Sequence, residues 1–542
     1  MAQHLELKTR TRRIGASLIA LALAGALAGG AAGQTADAAA RKQEAIALVK
    51  SRAKLAQVIT DEVFSYGELG YQEVETSKYL TALLEKNGFK VERGTSGMPT
   101  SWVARWTSPA GAGPTIAFGS DLDGIPKASQ MPGVAYRKPM VEGAPGHGEG
   151  HNSGQAVNIV AALALKDLMI RDKIPGTLML WPGVAEELIG AKAFMVRDGV
   201  FKGVDAVLFT HVGDNLETGW GLAKGTGVVS VEYTFTGESA HSAGAPWRGR
   251  SALDAVELMD AGWNFRREHL RPEQRSHYVI TDGGDQPNVV PSKATVWYYL
   301  REIDFAHIRE MYDTANKIAD GAAMMTGTTV AHRIVGYAAP RNFSRPIAEA
   351  AQANIDKVGL PTWTADEQTF AKAVQKLVGA KEEGLATKLK GMELPPEPPV
   401  SGGSDDIGDI SWVAPTLVVR FPSNIPGLPG HNWSNAISMA TPVAHKGVVA
   451  GAEVIAMTGL DLLTDPKLLA DARTYFETVS TKDQKYDPLL APTDKPVIER
   501  NADIMAQFRP QMRKFYYDPA KYPTYLDQLG VKFPELAPPA AK

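Results

Sequence analysis

Residues Gly146–Asn152 read GHGEGHN, and 35 positions beyond His151 two adjacent glutamates, Glu186 and Glu187, follow the apolar run TLMLWPGVA. Imidazole and carboxylate together make a hard nitrogen–oxygen donor set for a divalent cation, with one carboxylate left over to act as a base. Glu149 and His151 are two residues apart, so an extended segment would point both side chains to one face. Neighbouring glutamates in extended chain diverge, so one can bind metal while the other faces a substrate. That division suits amide hydrolysis, in which one carboxylate fixes a Lewis acid and the other moves a proton from water to the leaving nitrogen. His211 follows the apolar run Ala206 to Phe209, and His431 lies in the loop IPGLPGHNW. The remaining histidines singled out, His4, His269, His277, His307 and His332, have no motif around them and read as structural or exposed.

These residues need strand ends to hold them. Strand candidates at 101–106, 115–118, 176–181 and 206–209 alternate with helices at 77–88, 154–170 and 191–198, after a first helix expected over 41–64. Alternation of this kind predicts an α/β domain around a mainly parallel sheet, whose ligands collect at the carboxyl ends of the strands. Asp121, Glu186 and His211 all fall just past a strand candidate. From Gly225 to Ala338 the order becomes βαββαβ, which predicts an inserted α+β domain with helices on one face of an antiparallel sheet. The α/β pattern resumes with a strand at 416–420 and an apolar helix at 441–458. The Pro-rich stretch 383–400 reads as a surface excursion.

Composition narrows the function classes. The chain has 542 residues, 44% apolar and 22% charged, with a formal net charge of -3. That balance offers nothing to nucleic acid. The absence of cysteine excludes disulfides, thiolate ligands and a cysteine nucleophile. Lys8, Arg10, Arg12 and Arg13 precede an Ala/Leu-rich run, Ile14 to Ala28, and a small-residue site at Ala36–Ala38. This reads as a cleaved export signal over 1–38, hence a periplasmic location, because the run is too short and too rich in Ala and Gly to anchor. The expected layout is catalytic domain over 41–224 and 339–485, inserted domain over 225–338, and an extension over 486–542.

The ordered set SDLDGIP (Ser120–Pro126), GHGEGHN, EELIGAKAFM (Glu186–Met195), His211, AHSAGAPWRGRSALDA (Ala240–Ala255), PNVVP (Pro287–Pro291), GSDDIGDISW (Gly403–Trp412) and GHNW (Gly430–Trp433) resembles the dinuclear aminoacylase/carboxypeptidase G metallopeptidase family. Within it the chain is most similar to the hippurate-hydrolase, auxin-conjugate-hydrolase and aminobenzoyl-glutamate-hydrolase branch, and to the B type of the last. The resemblance implies a metal-binding α/β domain with a lid that also dimerises. It implies two divalent ions per subunit, zinc, manganese or cobalt, with Glu187 and His431 on one, His151 and His211 on the other, and Glu149 bridging. It further implies Glu186 as general base, His241 reaching a neighbouring subunit's site to stabilise the oxyanion, Asn288 on the substrate carboxylate and Asp123 supporting the metal site. Glu149 is a departure, since this branch commonly has cysteine there, although other branches use an acid. The expected activity is cleavage of N-acyl amino acids or aryl-amino-acid conjugates by a homo-oligomer. A dipeptidase or carboxypeptidase on the same site, or a metal-binding homologue without turnover, are the alternatives. Retention of Glu186 beside Glu187 speaks against the last, because mere metal binding has no use for a base.

Overall fold

The computed structural model describes residues 37–397, 399–400 and 402–538. The export signal expected over 1–38 lies outside the described residues, except that 37 and 38 begin a helix running to 50. The first helix expected over 41–64 is two helices, 37–50 and Ala53–Tyr66, broken at Ser51–Arg52. Both breaking residues turn their side chains back on the Leu48 carbonyl, Ser51 Oγ at 2.7 Å and Arg52 Nη1 at 2.8 Å, and so compete with the helix for that acceptor.

A seven-stranded sheet forms the centre of the larger domain. Its order is Lys90–Arg93, Trp102–Thr107, Thr177–Gly183, Thr115–Asp121, Ala206–Gly213, Thr416–Pro422, Glu217–Thr218. The four middle strands are parallel, whereas every pairing outside them is antiparallel. The sheet is therefore parallel through its centre, as expected, and mixed at its margins. Short edge strands carry no pattern that distinguishes the two directions. The middle strands are apolar along their length because both faces are covered. Helices Gly154–Arg171 and Pro442–Thr464 pack on one another and on these strands, and are themselves apolar nearly all round. Pro442–Thr464 is apolar and long enough to cross a membrane, but it is buried here as a core helix.

The second domain has a four-stranded antiparallel sheet in the order Thr329–Ala338, Gly227–Thr236, Lys293–Glu302, Arg275–Asp282. Helices Ala252–Arg266 and Phe305–Thr326 cover one face. Each starts on a capping side chain: Ser251 Oγ accepts from Asp254 N at 3.1 Å, and Asp304 Oδ1 accepts from His307 N at 2.9 Å. Ala294, Val296, Tyr298 and Leu300 point into that core. The period of two therefore sends Trp297, Tyr299 and Arg301 to the opposite face. Register pairs Tyr299 with His277 and Arg301 with Arg275, so all four lie on the face turned toward the larger domain.

The segment from Tyr486 onward contributes helices Ala502–Met512 and Tyr525–Leu529 and buries Met505, Met512, Tyr517 and Tyr525. Tyr525 N donates to Asp61 Oδ2 at 3.1 Å on the larger domain, while Arg500 pairs with Glu232 of the smaller one.

Candidate metal and amide-hydrolysis site

The carboxyl ends of the four parallel strands converge on one cleft of about 660 Å³ between the two domains. Asp121 is the last residue of its strand, and His211 lies inside Ala206–Gly213 opposite Arg420 in register. Both were expected just past a strand end. The strands run further than their apolar cores suggest, because buried polar groups continue the ladder.

The GHGEGHN segment is not extended. Gly150 takes φ +115°, and its Cβ position would lie 2.8 Å from Met439 Sδ, so only glycine fits the bend. The bend still brings Glu149 and His151 together, with Glu149 Oε2 3.3 Å from His151 Nε2, and Glu149 Oε1 3.6 Å from His211 Nε2. Nor are Glu186 and Glu187 extended. They occupy a single tight turn, Glu186–Leu188, between two left-handed residues, Ala185 at φ +52° and Ile189 at φ +55°. The turn, unlike a pleat, keeps their carboxylates together: an oxygen of each lies within 4.8 Å of the other and of a His151 ring nitrogen, which corrects the expected divergence.

Asp123 is fully buried and its carboxylate takes the amide protons of Glu186 (3.1 Å) and Glu187 (3.0 Å). Its carbonyl lies 3.1 Å from His151 Nδ1, and the Val212 carbonyl lies 2.8 Å from His211 Nδ1. The Asp123 carbonyl favours the His151 tautomer whose Nε2 presents a lone pair to the cleft, whereas His211 Nδ1 also lies 2.9 Å from Arg420 Nη1. His431 Nε2 stands 3.4 Å from Glu187 Oε2 at the outer rim, with its side chain 66% exposed. His241 and Asn288 do not line this cleft. Both are exposed on the smaller domain and adjacent to one another, with Ser242 N bonded to the Asn288 carbonyl at 3.1 Å.

The donor set fits a divalent cation. Asp121 Oδ2, Glu149 Oε2, His151 Nε2 and Glu187 Oε1 are buried and have no hydrogen-bond partner among the described residues. Four acceptors left without donors would be costly unless a cation satisfies them. Three sets lie with their ligand atoms within 4.8 Å of one another: Asp121–His151–His211, His151–Glu186–Glu187 and Glu186–Asp405–Asp406. Burial brings the His211 imidazole down to about 4, the neutral form a metal requires. Burial works against the Glu149 charge, but the imidazoles of His211 and His151 hold it below the usual carboxylate range. Burial, then the charges of Asp405 and Asp121, push the Glu186 carboxyl well above that range.

Several residues escaped the sequence reading. Lys192 is fully buried and pairs with Asp121 at 2.6 Å and with Asp406, a counter-charge under the acidic cluster. A lysine inside the apolar EELIGAKAFM stretch was a signal for it, as the Asp405–Asp406 pair was for the acids. Arg420, an arginine within the buried strand TLVVRFP, donates to the Val212 carbonyl at 3.2 Å. His277, read as structural or exposed, lines the cleft with Arg275, Tyr299 and Arg301. Only strand register, which no motif reveals, puts those four on one face.

The chain is similar to known amide hydrolases and peptidases. Residues 225–323 match the family model described as a peptidase dimerisation domain. The chain is 31% identical over 456 residues to the B polypeptide of p-aminobenzoyl-glutamate hydrolase from Escherichia coli, covering 80% of this chain and 94% of that protein. It is 25% identical over 455 residues to Xaa-Arg dipeptidase of Mus musculus, covering 82% and 94%. Among solved structures, a putative aminohydrolase from methicillin resistant Staphylococcus aureus superposes with a TM-score of 0.56 at 19% identity, over 78% of this chain and 100% of that one.

Proposed function

The chain belongs to the M20 family of metallopeptidases, the aminoacylase/carboxypeptidase G group, and is a metal-dependent amide hydrolase; on that basis we propose that it cleaves N-acyl or N-aroyl amino acids whose amino-acid half is anionic, of the aminobenzoyl-glutamate kind. The observation that carries this reading is the charge layout of the cleft. Glu149, Glu186, Glu187 and Asp405 come from the larger domain and Arg275 and Arg301 from the smaller, while Arg420, its Nη1 2.9 Å from His211 Nδ1, stands among the larger domain's groups. Cations can sit among the carboxylates while the arginines receive a carboxylate from the substrate. The same layout disfavours a dipeptide ending in arginine, which would place a cation against that row.

Glu149 would be shared between two divalent ions, with His151 and His211 holding one and Glu187 and His431 the other. Zinc, manganese and cobalt all suit this hard donor set. When bound, the metal supplies Lewis acidity for the amide carbonyl and lowers the pKa of water. Glu186 takes the proton of the attacking water and returns it to the leaving nitrogen, a role supported by its place on the cleft beside Glu187. Asp123 holds the turn that carries both glutamates.

His241 is assigned to the site of a neighbouring subunit, with Asn288 beside it for the substrate carboxylate. Amides of Ala243 and Gly244 donate to His241 Nδ1 at 3.2 and 3.1 Å, which leaves the proton on Nε2, the form able to donate to an oxyanion. A homodimer through the smaller domain is supported by its exposed apolar residues Phe265, Val279, Ile280 and Met324. Export to a periplasm rests on the basic and apolar N-terminal pattern alone.

The test is a hydrolysis assay with added zinc or manganese on aminobenzoyl-glutamate and on dipeptides ending in arginine. Glu186→Gln is expected to keep its metal and lose about 10²-fold or more in turnover. Mixing it with His241→Ala subunits is expected to restore activity, because one hybrid site then carries both intact residues. Near-normal turnover by Glu186→Gln would reassign the base, and no recovery in verified mixed dimers would return His241 to its own chain.

A further inference from the structure

We propose that Glu73, helped by Tyr71, is a positioning residue for the catalytic turn 185–190, a role that rests on the reading of Glu186 as the base. Glu73 is fully buried and touches none of the metal-facing groups through a hydrogen bond. Its Oε1 accepts the amide proton of Ala185 at 2.8 Å, and its Oε2 accepts from the Thr100 hydroxyl at 2.7 Å. Asp123 takes the next two amides, those of Glu186 and Glu187. Three consecutive backbone N–H groups are thus held by two carboxylates, each from a different part of the chain.

The far end of the turn is held by the same segment. Tyr71, itself at φ +65°, donates its hydroxyl to the Gly190 carbonyl at 2.7 Å. Gly190 N closes back on the Ala185 carbonyl at 3.0 Å. The contact is backbone-close, since a Cβ on Gly70 would lie 2.8 Å from Ala185 Cα. The turn needs outside support because Ala185 and Ile189 both sit in the left-handed region, which is unfavourable for a residue with a β-carbon. Left alone it would relax toward ordinary backbone geometry and swing the Glu186 carboxylate away from the attacking water. Glu73 and Tyr71 therefore act through backbone placement, not by touching substrate.

The experiment compares Glu73→Ala, Glu73→Gln and Tyr71→Phe in the full-length, metal-loaded enzyme. It reads kcat, KM and metal per folded subunit. Glu73→Ala is expected to lower kcat by about 10²-fold, the scale of a misplacement near 1 Å, at unchanged KM and full metal content. Glu73→Gln keeps a carbonyl oxygen for Ala185 N and an amide group for the Thr100 hydroxyl, and is expected to recover most of that loss. Tyr71→Phe removes one hydroxyl from the other end, and is expected to lower kcat alone by about tenfold on the same positional argument. If Glu73→Ala does not fold, Tyr71→Phe decides. An unchanged kcat per metal-loaded subunit, a loss that only tracks lost metal, or a rise in KM without a fall in kcat would each overturn the proposal. Failure of the base assignment appears separately, as a Glu186→Gln enzyme that still turns over.

Discussion

The two sides of the cleft are built on different plans. On the larger domain the reactive groups are short-tethered and backed from behind. Asp123 and Glu73 hold the Glu186–Glu187 turn, backbone carbonyls orient His151 and His211, and Lys192 neutralises Asp121 and Asp406. On the smaller domain the facing groups are long side chains placed by sheet register and tied by few bonds, such as Arg275 Nη1 to the Gln274 carbonyl at 2.7 Å. Arg301 is tied by a single hydrogen bond to Ser404 Oγ, at 2.7 Å, beside the Tyr299 ring at 5.1 Å. Chemistry needs geometry fixed to a fraction of an ångström, whereas recognition of a carboxylate tolerates reach. Under the proposed function, the difference in construction separates the side that reacts from the side that selects.

The sharpest way to break that division is to remove the carboxylate proposed to be shared, Glu149. Glu149→Ala is expected to lose bound metal and activity together, because an oxygen ligand lost from a closed donor set has no substitute. Elemental analysis decides it: full metal content in the variant would strip Glu149 of its bridging assignment. Chelation of the wild-type enzyme, followed by separate additions of zinc and manganese, reports which ion restores turnover.

A smaller effect is expected on the selecting side. Arg301→Leu should raise KM for aminobenzoyl-glutamate about 10- to 100-fold, the worth of one charge-assisted hydrogen bond, with a lesser change in kcat. A matched substrate whose amino-acid carboxylates are amidated should be cleaved equally by both enzymes. Equal losses on the two substrates would mean that Arg301 shapes the reacting side and that the proposed division is wrong.

The same contrast explains what the sequence could reveal. The reacting side was legible because its residues cluster in short motifs, so Glu149, His151, Glu186, Glu187, His211 and Asp123 were all named from the chain, and the structure brings them together. Their local geometry was not legible. The bend at Gly150 and the left-handed Ala185 and Ile189 are imposed by packing against Met439, Glu73 and Tyr71, remote in sequence. The selecting side was illegible because Arg275, His277, Tyr299 and Arg301 come from two strands whose pairing, not spacing, puts them on one face. The element order of the inserted domain was readable from amphipathic periods and caps. The direction of the larger sheet's edge strands was not, since short strands carry too few residues to mark it.

The sheet of the smaller domain has a second face, and its electrostatics should differ from those of Arg301's face in a measurable way. Asp260 lies in the helix-covered core, where its Oδ1 accepts from the Tyr298 hydroxyl. Burial raises its carboxyl to about 6, although the Tyr298 bond works the other way. An acid with a raised folded-state pKa holds its proton more tightly folded than unfolded. Its stabilising contribution is present below the unfolded value of about 3.9 and is lost as pH rises through about 6. At pH 8 the protein therefore carries a buried charge that Asp260→Asn removes while keeping an oxygen for Tyr298. The variant is expected to melt higher than wild type at pH 8, by an amount near 1 kcal/mol once partial solvent access to the carboxylate is allowed for. That is a shift of a few °C. The gap should shrink progressively as the pH is lowered toward 4, where both side chains are neutral in the fold. Melting curves at pH 8, 6 and 4 test it, and an offset that stays constant across that range would show that packing, not charge, sets the difference at this position.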